Sequence, residues 1–390
     1  MRRHLVGRPL TIGMFVDSYL PEINGVVTSL VSTMRELRRR GHRVIVIAPS
    51  HEGAVDDDPD VFRLRSSPFP FYPQFRMAFP LPAKLLATLP RMPFDVIHAH
   101  SMFFVGCLGA YLAQFRKMPL FLTYHTLWTE YAHYVPVDPG FTRAQAVWVS
   151  RQFCNRASCV IAPTYGIRDL LTSYGVDRPI LVLPSGVDVS LFATSAAQGP
   201  RIRAGGGPIA LFVGRLGKEK NVDLVLDAFD AAARRIPDLR LIVVGSGPHE
   251  EALRRHANQL PSSPRIRFTG ALPQAELGAY YAAADAFVFA STTETQGLVL
   301  LEAMTHGVPV AAVDCAVTRE VVSGESGILA RESAAELGDA IVALVRAGED
   351  ERARRVASAM NVARPCSVEA LTDTLEAHYA EVCAKASAAL

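Results

Sequence analysis

Short, uninterrupted apolar runs recur along the chain, separated by stretches in which apolar residues fall at helical spacing. Residues 11–16, 44–48, 120–124, 209–213, 241–244, 286–290 and 310–313 each have the length and composition of a strand buried on both faces. After the first run, Gly25 opens a segment in which Val26, Leu30, Met34 and Leu37 share one helical face, and Gly41 closes it. Strand and helix alternate in this way over the whole length. That pattern implies an α/β chain built from doubly wound parallel sheets, because each crossover helix must cover a sheet face. In such sheets ligands meet the loops beyond the carboxyl ends of the strands.

A chain of 390 residues should form about two domains. Residues 194–207 (TSAAQGPRIRAGGG) are small, Gly-rich and polar, the composition of a linker. The expected division is 1–192 and 205–366, followed by a last amphipathic helix at about 367–390. With 49% hydrophobic and 20% charged residues the chain reads as a soluble globular protein. Its six cysteines are scattered, with no CxxC pair and no metal-ligand spacing, which predicts reduced structural thiols and a cytoplasmic setting. The apolar run at the N-terminus is too short for a signal-peptide core, and none reaches the roughly 18 residues of a membrane span. Residues 1–190 carry 20 Lys/Arg against 14 Asp/Glu (+6), and residues 191–390 carry 20 against 24 (−4). The basic front half suits an anionic lipid surface or another acidic partner; no nucleic-acid partner is expected.

The most informative stretch is 284–313, ADAFVFASTTETQGLVLLEAMTHGVPVAAV. It reads as strand, polar loop, helix and strand, with Leu298, Leu301 and Met304 at helical spacing and Gly307 and Pro309 as the stop. Glu294 lies on the loop and Glu302 in the helix. Between them the amides of Gly297, Leu298 and Val299 occupy a first helical turn, where N–H groups lack intrahelical partners and suit a phosphate. A carboxylate on each side of a diphosphate site could hold sugar hydroxyls. The plainer alternative is an ordinary βαβ unit with two solvated glutamates.

Further candidates sit at other strand ends. His125 follows the run 120–124 and is flanked by Thr126, Trp128, Glu130 and Tyr131. Gly25, at a helix entrance, permits close approach of a ligand to the backbone or serves only as a turn. Arg215 and Lys220 follow the strand 209–213 in GRLGKEKN; Arg binds phosphate bidentately and Lys acts as a point charge. Residues 66–93 are dense in Pro and aromatics, with Arg76, Lys84 and Arg91 among them. That mixture fits a membrane interface, or a loop that packs its rings into the domain. Arg143, Arg151 and Arg156 around the helical segment 144–156 meet lipid or form a solvated face.

TETQGLVLLEAMTHGVPVAA, GRLGKEKN, the loop at Gly25 and the His125–Thr126 pair together resemble the retaining, GT-B-fold glycosyltransferases of glycosyltransferase family 4. His125–Thr126, the aromatics through Tyr134 and ETQG at 294–297 resemble the family's diacylglycerol glucosyltransferases. The resemblance implies two Rossmann-like domains facing a central cleft, with the C-terminal helix crossing back to the first. It implies a nucleotide-sugar donor, UDP-glucose foremost, and no cofactor or metal. Arg215, Lys220 and the helix at Gly297 would take the diphosphate, and Glu302 the ribose. Gly270 and Leu272 would meet the base. Glu294, with Gln296 beside it, would hold the sugar, and His125 would touch that sugar from the other domain. Whether Glu294 attacks or only positions stays open. The acceptor expected is diacylglycerol, met from the inner face of the cell membrane. A soluble sugar or secondary-metabolite acceptor, a GDP-mannose, UDP-GlcNAc or UDP-galactose donor, and a non-catalytic nucleotide-sugar binder are the alternatives.

Overall fold

Two separate parallel sheets absorb the apolar runs. The computed structural model describes residues 8–388 apart from 23, 53, 55, 70–71, 79–87, 128 and 130–138. The chain divides into one unit of Met1–Gly186 with Val368–Leu390, and a second of Val187–Ser367.

The first unit runs β1 (Thr11–Phe15), α1 (Gly25–Arg39), β2 (Arg43–Pro49), β3 (Val61–Leu64), then the antiparallel hairpin β4 (Ser67–Phe69) and β5 (Tyr72–Met77). It continues with β6 (Val96–Ala99), α2 (Phe104–Phe115), β7 (Leu120–Thr123), α3 (Pro139–Cys154), β8 (Cys159–Ala162), α4 (Tyr165–Ser173) and β9 (Ile180–Val182). Its sheet order is β3-β2-β1-β6-β7-β8-β9. Along β2, Val44, Val46 and Ala48 enter one core while Ile45 and Ile47 enter the other. Side chains alternate across a strand, so burial of both faces requires the continuous apolar run seen in the sequence.

The last helix, α14 (Val368–Ala388), belongs to this unit. Leu375 and Tyr379 lie in the core shared with Leu30 and Leu37 of α1. Glu376 accepts from Arg40 at 2.9 Å and lies 2.9 Å from His42 Nε2. Burial pushes the Glu376 carboxyl up, but these two partners outweigh it and hold the group below its ordinary range.

The second unit begins with α5 (Ser190–Ala196) and α6 (Gly199–Arg203), followed by β10 (Ile209–Val213), α7 (Val222–Ala233), β11 (Arg240–Val244), α8 (Glu250–Gln259), β12 (Ile266–Gly270) and α9 (Gln274–Ala283). Then come β13 (Ala286–Phe289), α10 (Leu298–Thr305), β14 (Val310–Val313), α11 (Ala316–Val321), β15 (Gly327–Ala330), α12 (Ala334–Arg346) and α13 (Glu349–Ala363). The sheet order is β12-β11-β10-β13-β14-β15.

The linker expected at 194–207 is not one. α5 and α6 are helices packed on α9, and the second unit starts at Val187 rather than 205. Phe192 meets Tyr281 edge to face at 6.1 Å between centroids. Small residues here serve close approach: a Cβ on Gly278 would stand 2.4 Å from the Phe192 carbonyl oxygen. Composition alone cannot separate such an interface from a flexible segment.

The Pro- and aromatic-rich stretch is also partly structural. Leu89, Met92 and Phe94 are buried in the first unit's core. Arg76 donates to Ser66 Oγ at 2.9 Å and to the Ser66 carbonyl at 3.3 Å, so it is engaged within the hairpin rather than presented to lipid. Lys84 lies outside the described residues, as do Trp128, Glu130, Tyr131 and Tyr134. Among the described residues no helix is long and apolar enough to cross a membrane.

Gly278→Ala should lower the unfolding free energy by about 1–3 kcal/mol through overpacking. Gly348→Ala, where a Cβ meets nothing within 4 Å, should stay within about 1 kcal/mol of the parent. Urea unfolding of the pair checks this, and equal destabilisation would contradict the packing of α5 on α9.

Candidate functional site

In the second unit β10 pairs with β11 on one side and β13 on the other. The chain therefore leaves β10 in one direction and returns at β13 in the other, the switch point where a doubly wound sheet opens. The loops after β10 and β13 meet there. A 3₁₀ turn, Lys218–Lys220, follows β10 and ends at Asn221 in the left-handed region (φ 52°). Lys220 Nζ pairs with Glu294 Oε1 across the switch point. Ser291 Oγ donates to the Glu219 carbonyl at 3.0 Å and ties the same two loops.

Arg215 Nη2 donates to Glu219 Oε1 at 2.6 Å. Burial raises the Glu219 carboxyl, but Arg215, with Lys220 near, outweighs burial and holds it below its ordinary range. Both expected diphosphate cations are thus preset by a carboxylate. Glu219 was not singled out in the sequence; its spacing of four from Arg215 was the available signal.

Gly297 precedes α10 at φ 72°, a left-handed conformation that favours glycine, and this N-cap residue has no side chain of its own to bond the helix amides. Leu298 and Val299 form its half-buried first turn, and Gln296 is buried beside it. Gly270 ends β12, also left-handed, and its carbonyl accepts from Gly245 N at 2.9 Å; Leu272 follows, half-buried.

Glu302 is not a solvated side chain. It is 4% exposed, accepts from Tyr281 Oη at 2.7 Å and has Gln274 Nε2 at 3.4 Å. Burial raises its pKa, partly offset by those two hydrogen bonds. Tyr281 stacks on His306 with centroids 5.2 Å apart.

In the first unit His125 follows β7. Its Nε2 lies 3.1 Å from His100 Nδ1. Burial lowers the His125 pKa to about 4. Gly25 opens α1 behind an Asn24 cap, whose side chain accepts from Val27 N at 3.0 Å. A Cβ on Gly25 would meet nothing within 4 Å, so the packing of the chain does not itself demand glycine there. Asp17, also not singled out in the sequence, is buried at the N-terminus of α2. It accepts from Val105 N at 2.9 Å and Gly106 N at 3.4 Å, and from Ser101 Oγ. The amides of α2 are therefore occupied by the chain's own carboxylate. Among the described residues no cluster of three or more His, Cys, Asp or Glu is arranged to hold a metal ion.

Two Rossmann-like sheets, each with candidate residues at strand carboxyl ends, are the architecture of the GT-B fold. Residues 23–191 match the family described as Glycosyltransferase Family 4, and residues 207–347 match Glycosyl transferases group 1. Over 312 residues the chain is 31% identical to the alpha-monoglucosyldiacylglycerol synthase of Streptococcus pneumoniae, covering 78% of this chain and 71% of that one. Over 383 residues it is 31% identical to the GDP-mannose-dependent alpha-mannosyltransferase of Mycobacterium tuberculosis, covering 95% and 96%. The structure of Anabaena HepE with UDP and glucose superposes with a TM-score of 0.74 at 20% identity, over 94% of this chain and 98% of that one. The protein is a glycosyltransferase, and it belongs to glycosyltransferase family 4.

The raised pKa of Glu302 carries a stability consequence. Its carboxylate form is disfavoured in the folded state, so stability falls as pH rises from the ordinary value of 4.5 through the raised one. Glu302→Gln keeps an oxygen for Tyr281 and removes the charge. It should be more stable than the parent near pH 8, by a margin that shrinks as pH falls toward about 5. Urea unfolding at the two pH values checks this; a margin that grows on acidification would contradict it.

Proposed function

We propose that the protein transfers glucose from UDP-glucose to diacylglycerol at an anionic membrane surface, with retention at the anomeric carbon. The observation that carries the donor side is the Lys220–Glu294 pair at the switch point, on the loop that leads into α10. A diphosphate leaving group gains negative charge as its bond to the sugar breaks. Arg215, Lys220 and the amino end of α10 supply positive potential for it, fixed in advance by Glu219 and Glu294. Stabilisation of this kind calls for no added metal. We assign Glu302, oriented by Tyr281, to the ribose, and the backbone at Gly270 and Leu272 to the base. Glu294, with Gln296 beside it, is assigned to the sugar hydroxyls. A carboxylate engaged by Lys220 suits holding better than attack, which favours attack by the acceptor on the donor's own face. His125 is the first unit's candidate for the transferred sugar, and Gly25 lets a ligand approach the backbone.

The lipid acceptor is supported by the likeness to glucosyldiacylglycerol synthases and by exposed rings on two helices of the first unit. α2 exposes Tyr111 and Phe115, whose rings stack at 6.3 Å, and α3 exposes Phe141 and Trp148. Residues 101–169 contain six Lys or Arg and three Asp or Glu; Asp169 pairs with Arg168 at 2.7 Å, and Glu130 and Asp138 lie outside the described residues. Exposed rings amid positive charge match the headgroup layer of anionic lipid. An enzyme on this surface would work from the cytoplasmic side as a peripheral protein. A second reading, a GDP-mannose donor, is favoured by the mycobacterial relative that matches nearly end to end.

The test is product formation from UDP-glucose and, in parallel, GDP-mannose, with diacylglycerol in anionic vesicles and no metal added. Glucolipid from the first donor is expected; mannolipid instead would replace the donor assignment. Glu294→Ala and Lys220→Ala should each cut kcat by about 100-fold or more while retaining the fold. Phe115→Ala combined with Trp148→Ala should reduce sedimentation with anionic vesicles and leave nucleotide binding intact. Unchanged sedimentation would remove the rings of α2 and α3 from the proposal.

A further inference from the structure

Three histidine rings stand in a row inside the first unit. His98 and His100 are stacked with centroids 4.0 Å apart, and His100 and His125 with centroids 5.4 Å apart. The far end of the row is anchored by α14. His98 Nδ1 lies 2.5 Å from Tyr379 Oη, and His98 Nε2 lies 2.7 Å from Thr123 Oγ1. Tyr379 is fully buried, and its hydroxyl has no other acceptor among the described residues. It therefore donates to His98 Nδ1, and His98 Nε2–H donates to Thr123. His98 is thus fixed at both ring nitrogens.

His100 is treated differently. It is 6% exposed, its Nδ1 faces His125 Nε2 at 3.1 Å, and its Nε2 has no protein partner among the described residues. Burying an imidazole for a single side-chain hydrogen bond is costly and calls for an explanation. A cavity of ≈ 40 Å³, lined by His100 with Ser29, Thr33, Thr123 and Thr372, adjoins it and is roomy enough for water.

We infer that His100 is a positioning residue for His125: its Nδ1–H donates to His125 Nε2 and thereby fixes His125 as the tautomer protonated at Nδ1. Two neutral imidazoles that face each other nitrogen to nitrogen can hold only one proton between them. His100 lines a cavity roomy enough for water, from which Nε2 can accept, and its Nδ1 faces the buried His125 Nε2; on this basis the proton is placed on His100 Nδ1. Stacking on the doubly anchored His98 holds the His100 ring in place. The orientation of His125 is therefore set from α14 through Tyr379, His98 and His100. The consequence for catalysis rests on the assignment of His125 to the transferred sugar; the pairing itself does not.

The experiment uses the full-length protein with ring-¹⁵N histidine and the variants His100→Asn, His100→Gln and His100→Leu. Asn presents an amide nitrogen where Nδ1 was, Gln one where Nε2 was, and Leu neither. Long-range ¹H–¹⁵N spectra, with His125 assigned from His125→Asn, should show His125 protonated at Nδ1 in the parent and in His100→Asn. That pattern should be lost in His100→Leu and His100→Gln. With UDP-glucose and diacylglycerol vesicles, His100→Leu should lose about tenfold or more in kcat and His100→Asn stay within about threefold, at similar Tm. A parent His125 protonated at Nε2 overturns the proposal, as does equal impairment of folded His100→Asn and His100→Leu, or full activity of His100→Leu. If the parent fails to turn over UDP-glucose, the donor assignment falls, and the nitrogen spectra still decide the pairing.

Discussion

The parallel pairing of β10 with β13 is the contact on which the candidate donor site depends. Ala210 and Leu211 are in register with Ala286 and Phe287, although more than seventy residues of chain lie between them. This register sets the loop bearing Arg215 and Lys220 beside the loop bearing Glu294. Neither loop needs intrinsic rigidity, because each is short and rooted in a strand buried on both faces. The hydroxyl of Ser291 and the ion pair of Lys220 then join loops that the strands have already aligned.

The two units share a sheet plan and differ in what occupies their helix ends. In the first, α2 starts against a buried carboxylate, Asp17, and α1 starts behind Asn24. In the second, α10 starts at a left-handed glycine, which has no side chain of its own to place there. A helix end already met by an internal acid has little attraction left for an anionic ligand. One topology can therefore serve a phosphate in one copy and leave other chemistry to the other, by changing a few side chains at strand ends.

Most of the strands were legible because burial on both faces leaves no room for polar residues. What escaped did so for identifiable reasons. β3 lies at a sheet edge and is only partly buried, so its run Val61–Leu64 is interrupted by Arg63. α5 and α6 read as a linker because the small residues that permit close helix packing also favour flexible chain. α13 is rich in charge and gives a weak apolar stripe. At the site, Glu294, Lys220 and Arg215 were recognisable from local motifs; the pairing of Lys220 with Glu294 was not, since it joins distant loops, whereas Glu219, the partner of Arg215, lay only four residues on. Glu302 is an instructive case. A glutamate inside the run LVLLEAM is itself a sign of burial, and Tyr281, twenty-one residues earlier, was needed to make that burial tolerable. The same applies to His98, whose partner Tyr379 lies on the last helix.

α14 has a bearing on biosynthesis. A ribosome delivers the chain from its amino end, and domains commonly fold as they emerge. Here the second unit is one uninterrupted segment, whereas the first draws a helix from beyond it. Until Leu375 and Tyr379 leave the exit tunnel, the nascent first unit presents an apolar surface, including Phe121 of the sheet and Leu30 of α1, with part of its cover missing. The unit translated first is thus the one completed last.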